Sequence, residues 1–389
     1  MTARIGWHDA RRRAEAAGQA LPPQTVPLQR CIGRRLAADL SSPIDLPHFA
    51  SSAMDGWLTV GDGPWTITDA IPRAGEARAV VTGGLIPEGL VPEGTTAVLR
   101  SESAVASNGV VHAARGREPR PGEHIRIVGT EASRGELLIA AGTVLNPAHL
   151  ALAASTGVDS LQVQAEPEVA MVFTGDEVVT AGPPAAGQVR DSFGVQLPAL
   201  FESLGARVIG TTRTRDGLDV IADAIDHIDA PLIVTTGGTG SSSADHMHDA
   251  LRRLGAEVLF DGVAMRPGGP TVVAGLPDGR LVACLPGNPL AAMVVALTLC
   301  EPLIAGLAGR PMRPTRRIDA PDLNGRAGTT VLVPYSLSDG SAEVSPWTGS
   351  GMMRGLSAAD GLLVVPQEGT ARGGTAESVD LPWVLPPRG

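Results

Sequence analysis

Several short loops of this chain gather carboxylates, hydroxyls and glycines beside apolar runs. Thr174-Gly-Asp-Glu177 directly follows the run 169–173. Gly175 allows a tight turn, and the adjacent carboxylates Asp176 and Glu177 would point into the crevice beyond the strand; an ordinary polar strand cap has the same composition. In Thr235-Thr-Gly-Gly-Thr-Gly-Ser-Ser-Ser243, Gly237, Gly238 and Gly240 let backbone approach a ligand, while Thr239, Ser241 and Ser242 add hydroxyls. With a helix start behind them, these groups make an anion cradle; a flexible connector is the competing reading. The spacing is not G-x-G-x-x-G, so a dinucleotide fingerprint is not supported.

Asp245-His-Met-His-Asp249 invites a metal reading, since Asp245, His248 and Asp249 share a helical face while His246 does not. Helix-start acids with exposed histidines explain the run more simply, leaving Asp245 alone to hold a magnesium ion or orient a hydroxyl. Leu285-Pro-Gly-Asn-Pro289 reads as helix initiation, with Asn288 as N-cap and Pro289 at the first helical position. Pro286 and Gly287 also stiffen that loop. Met265-Arg-Pro-Gly-Gly-Pro270 is a second rigid turn, carrying one cation, Arg266. Asp55 in Ser52-Ala-Met-Asp-Gly56 and Ser350 in Gly349-Ser-Gly351 are ordinary turn residues when taken alone.

These loops need a scaffold. Between about 168 and 309 the pattern alternates: strand 169–173, helix 195–204, strand 207–211, helix 218–228, strand 231–236, a helix over 244–254, strands 257–260 and 281–285, and a long helix from 289. That alternation predicts an α/β domain with a doubly wound parallel sheet and helices on both faces. Ligands bind such sheets at the carboxyl ends of the strands, where each loop above falls. The first 165 residues and the last 75 carry short β-type runs at 96–100, 109–112, 136–139, 160–163, 330–334 and 362–365, with a helical stretch over 147–155. They predict flanking β-rich domains. The expected division is 1–44 plus 135–166, 45–134, 167–311 and a barrel-like 312–389.

Composition removes whole reaction classes. All 31 basic residues among the 389 are arginine, so Schiff-base chemistry, pyridoxal phosphate and the G-x-x-x-x-G-K-[ST] phosphate loop are excluded. The single tyrosine, Tyr335, leaves little room for phenolic acid catalysis. A net charge of −10 argues against a nucleic-acid partner. Three cysteines without a C-x-x-C pair read as buried thiols in a reducing, cytoplasmic setting. The apolar run 290–300 meets Glu301-Pro302 before membrane-spanning length, so no membrane association is expected.

Taken in order, the loops resemble the molybdopterin molybdenumtransferase family, which includes MoeA and gephyrin E-domain proteins. SSAMDGW is similar to N-S-A-M-D-G-Y, and VTGGLIP to M-T-G-A-x-x-P. TGDE, GQVRDS, TTGGTGSSSAD, MRPGGP (for K-P-G-K-P), LPGNP and GSGMMRGLSAADG follow in family order. The resemblance implies a homodimer with four domains per subunit and its active site between subunits. The implied reaction inserts molybdate into adenylylated molybdopterin, releasing AMP, with Mg²⁺ as cofactor. The acidic site positions it implies are Asp55, Glu131, Glu177, Asp216 and Asp245, with Glu177 and Asp245 as metal ligands. Implied binding residues are Thr82, Thr174, Asp191, Ser192, Arg266 and Ser350, with the loops Gly237–Ser242 and Pro286–Pro289. A molybdopterin adenylyltransferase is a possible partner on this resemblance; the GGTG loop is itself closer to that enzyme's. The sequence departs from the pattern at Ser51, Glu131, Phe193, Ser243 and Gly269, and carries a short insertion after TGG. Two alternatives stay open: a molybdopterin-binding paralogue without turnover, and a molybdopterin adenylyltransferase.

Overall fold

The apolar run after Glu168 is a strand, Glu168–Phe173, inside a six-stranded sheet. A computed structural model describes residues 4–91, 95–237, 246–338, 341–371 and 373–384. Across the sheet the order is Arg207–Arg213, Glu168–Phe173, Leu232–Thr236, Leu281–Leu285, Val272–Gly275 and Glu257–Asp261. The first four strands are parallel. The last two pair antiparallel, a mixed edge on the expected doubly wound parallel sheet. The cause is local. Leu276-Pro-Asp-Gly-Arg280 closes a tight hairpin in which the Leu276 N–H donates to the Arg280 carbonyl at 2.7 Å. A connection that short allows only antiparallel pairing, and it turns 272–275, unread as a strand in sequence, into one.

Alternation along the strands sorts the core into two layers. Val169, Met171, Phe173, Leu232 and Val234 pack with Leu197, Phe201 and the helix that starts at Pro289. Val172, Ile233, Val282 and Cys284 face the other way, against Ile221, Ile225 and Leu251. Helices therefore cover both faces, as a doubly wound sheet requires. Cys31, Cys284 and Cys300 are buried and form no disulfide.

The long helix differs from expectation. It does not stop at Glu301-Pro302 but runs through Pro289–Leu307, 19 residues long and apolar enough to cross a membrane by length and composition. Here it is a core helix, 94% buried. Residues Ala296–Cys300 wind as a π turn just before Pro302, a widening that accommodates the proline's missing N–H. Inside the core, Glu301 accepts from Arg310 at 2.7 Å and from the Arg313 amide at 3.1 Å. Helix Trp7–Ala17 crosses this helix at a point where no side chain fits: a Cβ on Gly306 would lie 2.2 Å from the Glu15 carbonyl oxygen.

A seven-stranded sheet follows, formed by Arg316–Ala320, Thr330–Ser338, Ser341–Val344, Gly361–Val365 and Gly374–Asp380 together with Ile5–Gly6 and Val263–Arg266. Tyr335 is buried in it, its hydroxyl 2.7 Å from Ser378 Oγ. The chain divides into two compact units, Met1–Pro22 with Gln164–Gly389, and Pro23–Val163. The second has its own six-stranded sheet, ordered Thr96–Arg100, Gly56–Val60, Glu76–Val80, Trp65–Ile67, Val110–Ala113 and Ala104–Ser107. It also holds helix Pro147–Ser155, where Asn146 and His149 form a reciprocal capping box.

Candidate active site

Four strand-to-helix loops converge at the carboxyl end of the parallel strands. A cavity of about 510 Å³ there is lined by Thr174, Glu177, Asp191, Ser192, Asp216, Gly237, Gly287, Asn288 and Pro289, with Phe193 as one wall. Sequence reading named all of these but Phe193 as site residues. Glycines set the spacing: Gly237 has φ +83, and a Cβ on it would lie 2.8 Å from Thr174 Oγ1. The Cβ of a side chain at 287 would in turn sit 3.8 Å from the Gly237 Cα. Bare backbone is therefore required at 237, where a Cβ would collide with Thr174, whereas a Cβ at 287 would make only ordinary contact.

The roles inside the cavity are uneven. Thr174 donates its hydroxyl to the Thr236 carbonyl at 2.8 Å and ties two strand ends together. The Gly237 N–H donates to the Leu285 carbonyl at 3.1 Å, so this residue provides close approach and not an anion donor. Asp191 is paired with Arg213 at 2.6 Å and accepts from the Gly194 N–H at 3.1 Å, which holds the start of helix Phe193–Ser203. Glu177 and Asp216 are exposed, and Asp216 meets only the Asp176 N–H, at 3.4 Å. They are the two cavity carboxylates without a cation partner among the described residues. Two hard oxygen donors and no histidine or cysteine suit Mg²⁺, which takes one or two carboxylates and keeps waters or phosphate oxygens. No cluster of three or more such groups exists among the described residues, so a complete protein cage is not built there. Asn288 is the N-cap of the Pro289 helix, yet its side chain makes no capping bond and is left to face the cavity.

A second cavity, about 590 Å³, lies on the other side of Asn288. It brings Arg266, Pro286, Asn288 and Ser350 together, joined by Arg4, Arg326 and Thr348, which sequence reading missed. The Ala291 N–H, in the first turn of the helix, donates to the Ser350 carbonyl at 3.1 Å and fixes the Gly-Ser-Gly loop. The positive end of a 19-residue helix adds to the field there.

Asp55, Thr82 and Glu131 belong to the 23–163 unit. Asp55 accepts from the Thr82 N–H at 2.6 Å; that contact, then the Thr82 hydroxyl, holds its carboxyl below the ordinary aspartate value. Glu131 is exposed, its N–H donating to the Leu46 carbonyl at 2.9 Å. Gly238, Thr239, Gly240, Ser241, Ser242, Ser243 and Asp245 lie outside the described residues. Beyond them, His248 pairs with Asp261 at 3.2 Å and Asp249 with Arg252, so the metal reading of that run gains nothing from these two.

Fold and cavities thus define a multidomain α/β protein with its ligand end at the carboxyl edge of a parallel sheet. Family models agree along the chain: a MoeA N-terminal region (domain I and II) matches residues 5–157, a probable molybdopterin binding domain 170–306, and a MoeA C-terminal region (domain IV) 320–380. Molybdopterin molybdenumtransferase 2 of Mycobacterium tuberculosis is 32% identical, covering 90% of this chain and 92% of that protein. The molybdopterin molybdenumtransferase of Nostoc is 29% identical over 88% of this chain and 85% of its own. A MoeA protein of Pyrococcus horikoshii shares the fold, with TM-score 0.78 at 24% identity over 97% of this chain and 99% of its own. The chain belongs to the molybdopterin molybdenumtransferase family, transferase enzymes of molybdenum cofactor biosynthesis.

Proposed function

We propose that this protein inserts molybdate into adenylylated molybdopterin and releases AMP. One observation carries the reading: two unneutralised carboxylates, Glu177 and Asp216, share a cavity with Asn288 and the start of the Pro289 helix. Glu177 and Asp216, with Asp245 from the loop outside the described residues, would hold Mg²⁺. That ion supplies charge neutralisation at phosphoryl oxygens when bound. The chain's own groups do the rest. Close-packed glycines at 237 and 287 admit the pyrophosphate end of the substrate, and the Asn288 amide orients it. The Phe193 ring gives the cavity an apolar wall against the pterin. Arg266 and Ser350 in the neighbouring cavity take a tetrahedral oxyanion, with charge-assisted contacts that favour a divalent anion.

The proposal includes a homodimer with the active site between subunits, in which Asp55 of one subunit reaches the α/β cleft of the other, as the resemblance implies. It also keeps the four-part division at 44, 134, 166 and 311, cytoplasmic location, and supply of the substrate by a molybdopterin adenylyltransferase. Purified protein given adenylylated molybdopterin, molybdate and Mg²⁺ releases AMP, and Asp216→Asn lowers that release at least about a hundredfold, as loss of transition-state charge stabilisation does. Ordinary AMP release by this variant would sink the assignment. Tight pterin binding without molybdate-dependent release would establish the non-catalytic reading. Consumption of ATP with plain molybdopterin would establish the adenylyltransferase reading.

A further inference from the structure

Gly269 stands where the family's K-P-G-K-P turn has its second cation. The structure shows what occupies the space. A Cβ on Gly269 would lie 3.3 Å from Arg4 Nη1, and one on Gly262, whose φ is +78, would lie 3.3 Å from Arg4 Cγ and Nε. Two glycines therefore make a slot for the arginine stem. Strand pairing delivers the side chain: Ile5 pairs with Val263 and Gly6 with Ala264, so residue 4 falls opposite Gly262. The Val263 N–H donates to the Gly269 carbonyl at 2.8 Å and closes the turn over the same place.

Arg4 lines the cavity of about 590 Å³ with Arg266, Arg326, Thr348, Ser350 and Asn288. No carboxylate lines it among the described residues, and none of the three guanidinium groups has a hydrogen-bond or ion-pair partner there. In a protein of net charge −10, three unpaired cations around donor hydroxyls and an amide make a site for a tetrahedral dianion. We infer that Arg4, reaching in from the amino-terminal strand, is an anion-binding residue of this cavity and replaces the cation missing at position 269.

This inference rests on the oxyanion reading of the cavity given above. Calorimetric titrations of the full chain with sodium molybdate, and separately with AMP, test it. Arg4→Gln weakens binding about 10- to 100-fold, the range for a lost hydrogen bond to a charged group. Adding Gly269→Lys to that variant, where the arginine has vacated the slot, restores most of the affinity. Loss confined to molybdate assigns Arg4 to the free oxyanion, and loss confined to AMP assigns it to the nucleotide phosphate. Unchanged binding of both ligands by Arg4→Gln, with Arg266→Gln weakened, overturns the role of Arg4 and leaves the cavity reading intact. Unchanged binding in both variants, or none in the unaltered protein, overturns the cavity reading and the inference with it.

Discussion

Asp55 remains ionised to lower pH than a free aspartate because the Thr82 amide and then the Thr82 hydroxyl donate to it. The folded state favours the charged form. The contact is thus fully present above the ordinary carboxylate range and is lost as pH falls through the depressed value. Thr82→Val keeps the amide and removes the hydroxyl, so carboxyl NMR should place the Asp55 midpoint higher, still below that of free aspartate. An unchanged midpoint would deny the hydroxyl any part. Legibility at this scale was uneven. Glu177, Gly287 and Asn288 could be singled out because each sits in a loop that ends a strand or starts a helix, whereas Asp216 came only from the family resemblance. The private duties of Thr174, Gly237 and Asp191 could not. They depend on partners 62, 48 and 22 positions away. Arg4 escaped notice for the same reason, because only strand pairing brings it to Gly262 and Gly269.

Among the elements, the Pro289–Leu307 helix shows how tertiary contacts override a local stop signal. Glu301-Pro302 would end an isolated helix, yet the π turn absorbs the proline and Arg310 neutralises the acid. Glu301 is 1% exposed and Arg310 also reaches the Leu204 carbonyl at 3.1 Å, so the pair is locked on both sides. Glu301→Ala leaves the part-buried Arg310 guanidinium without its carboxylate and should cost about 3 kcal/mol in urea unfolding, the low end for a broken buried pair. Glu301→Leu with Arg310→Met should recover most of that loss; recovery failing would mean the pair is not the cause. The edge hairpin 272–285 carries the opposite lesson. Its Pro-Asp-Gly turn signal was present in the sequence, but a short apolar run gives no periodicity to separate a strand from connecting chain.

For the whole molecule, the two-unit division has a measurable consequence. The 23–163 unit begins and ends on one strand pair, with Gln24 opposite Val163. Its ends are therefore neighbours, as in a domain inserted into another. Its apolar core is also its own, built in part around Leu36, Leu145 and Val163 and around Leu58 and Val98. A fragment of residues 23–163 should give dispersed amide NMR signals and a cooperative thermal transition; a collapsed, non-cooperative fragment would show that the unit borrows stability from the rest.

Ile5 pairs with Val263, and the helix after it seats its glycine-sized notch against Gly306. On the ribosome this order is inverted. At about 5–20 residues per second, the partner helix emerges roughly 15–60 s after the Trp7–Ala17 segment has left the tunnel. Trp7, Ala10 and Ala14, all buried in the finished protein, must wait in water or on a chaperone for that interval. A segment made well before its partner helix is thus among the last to find its place, and with it comes Arg4.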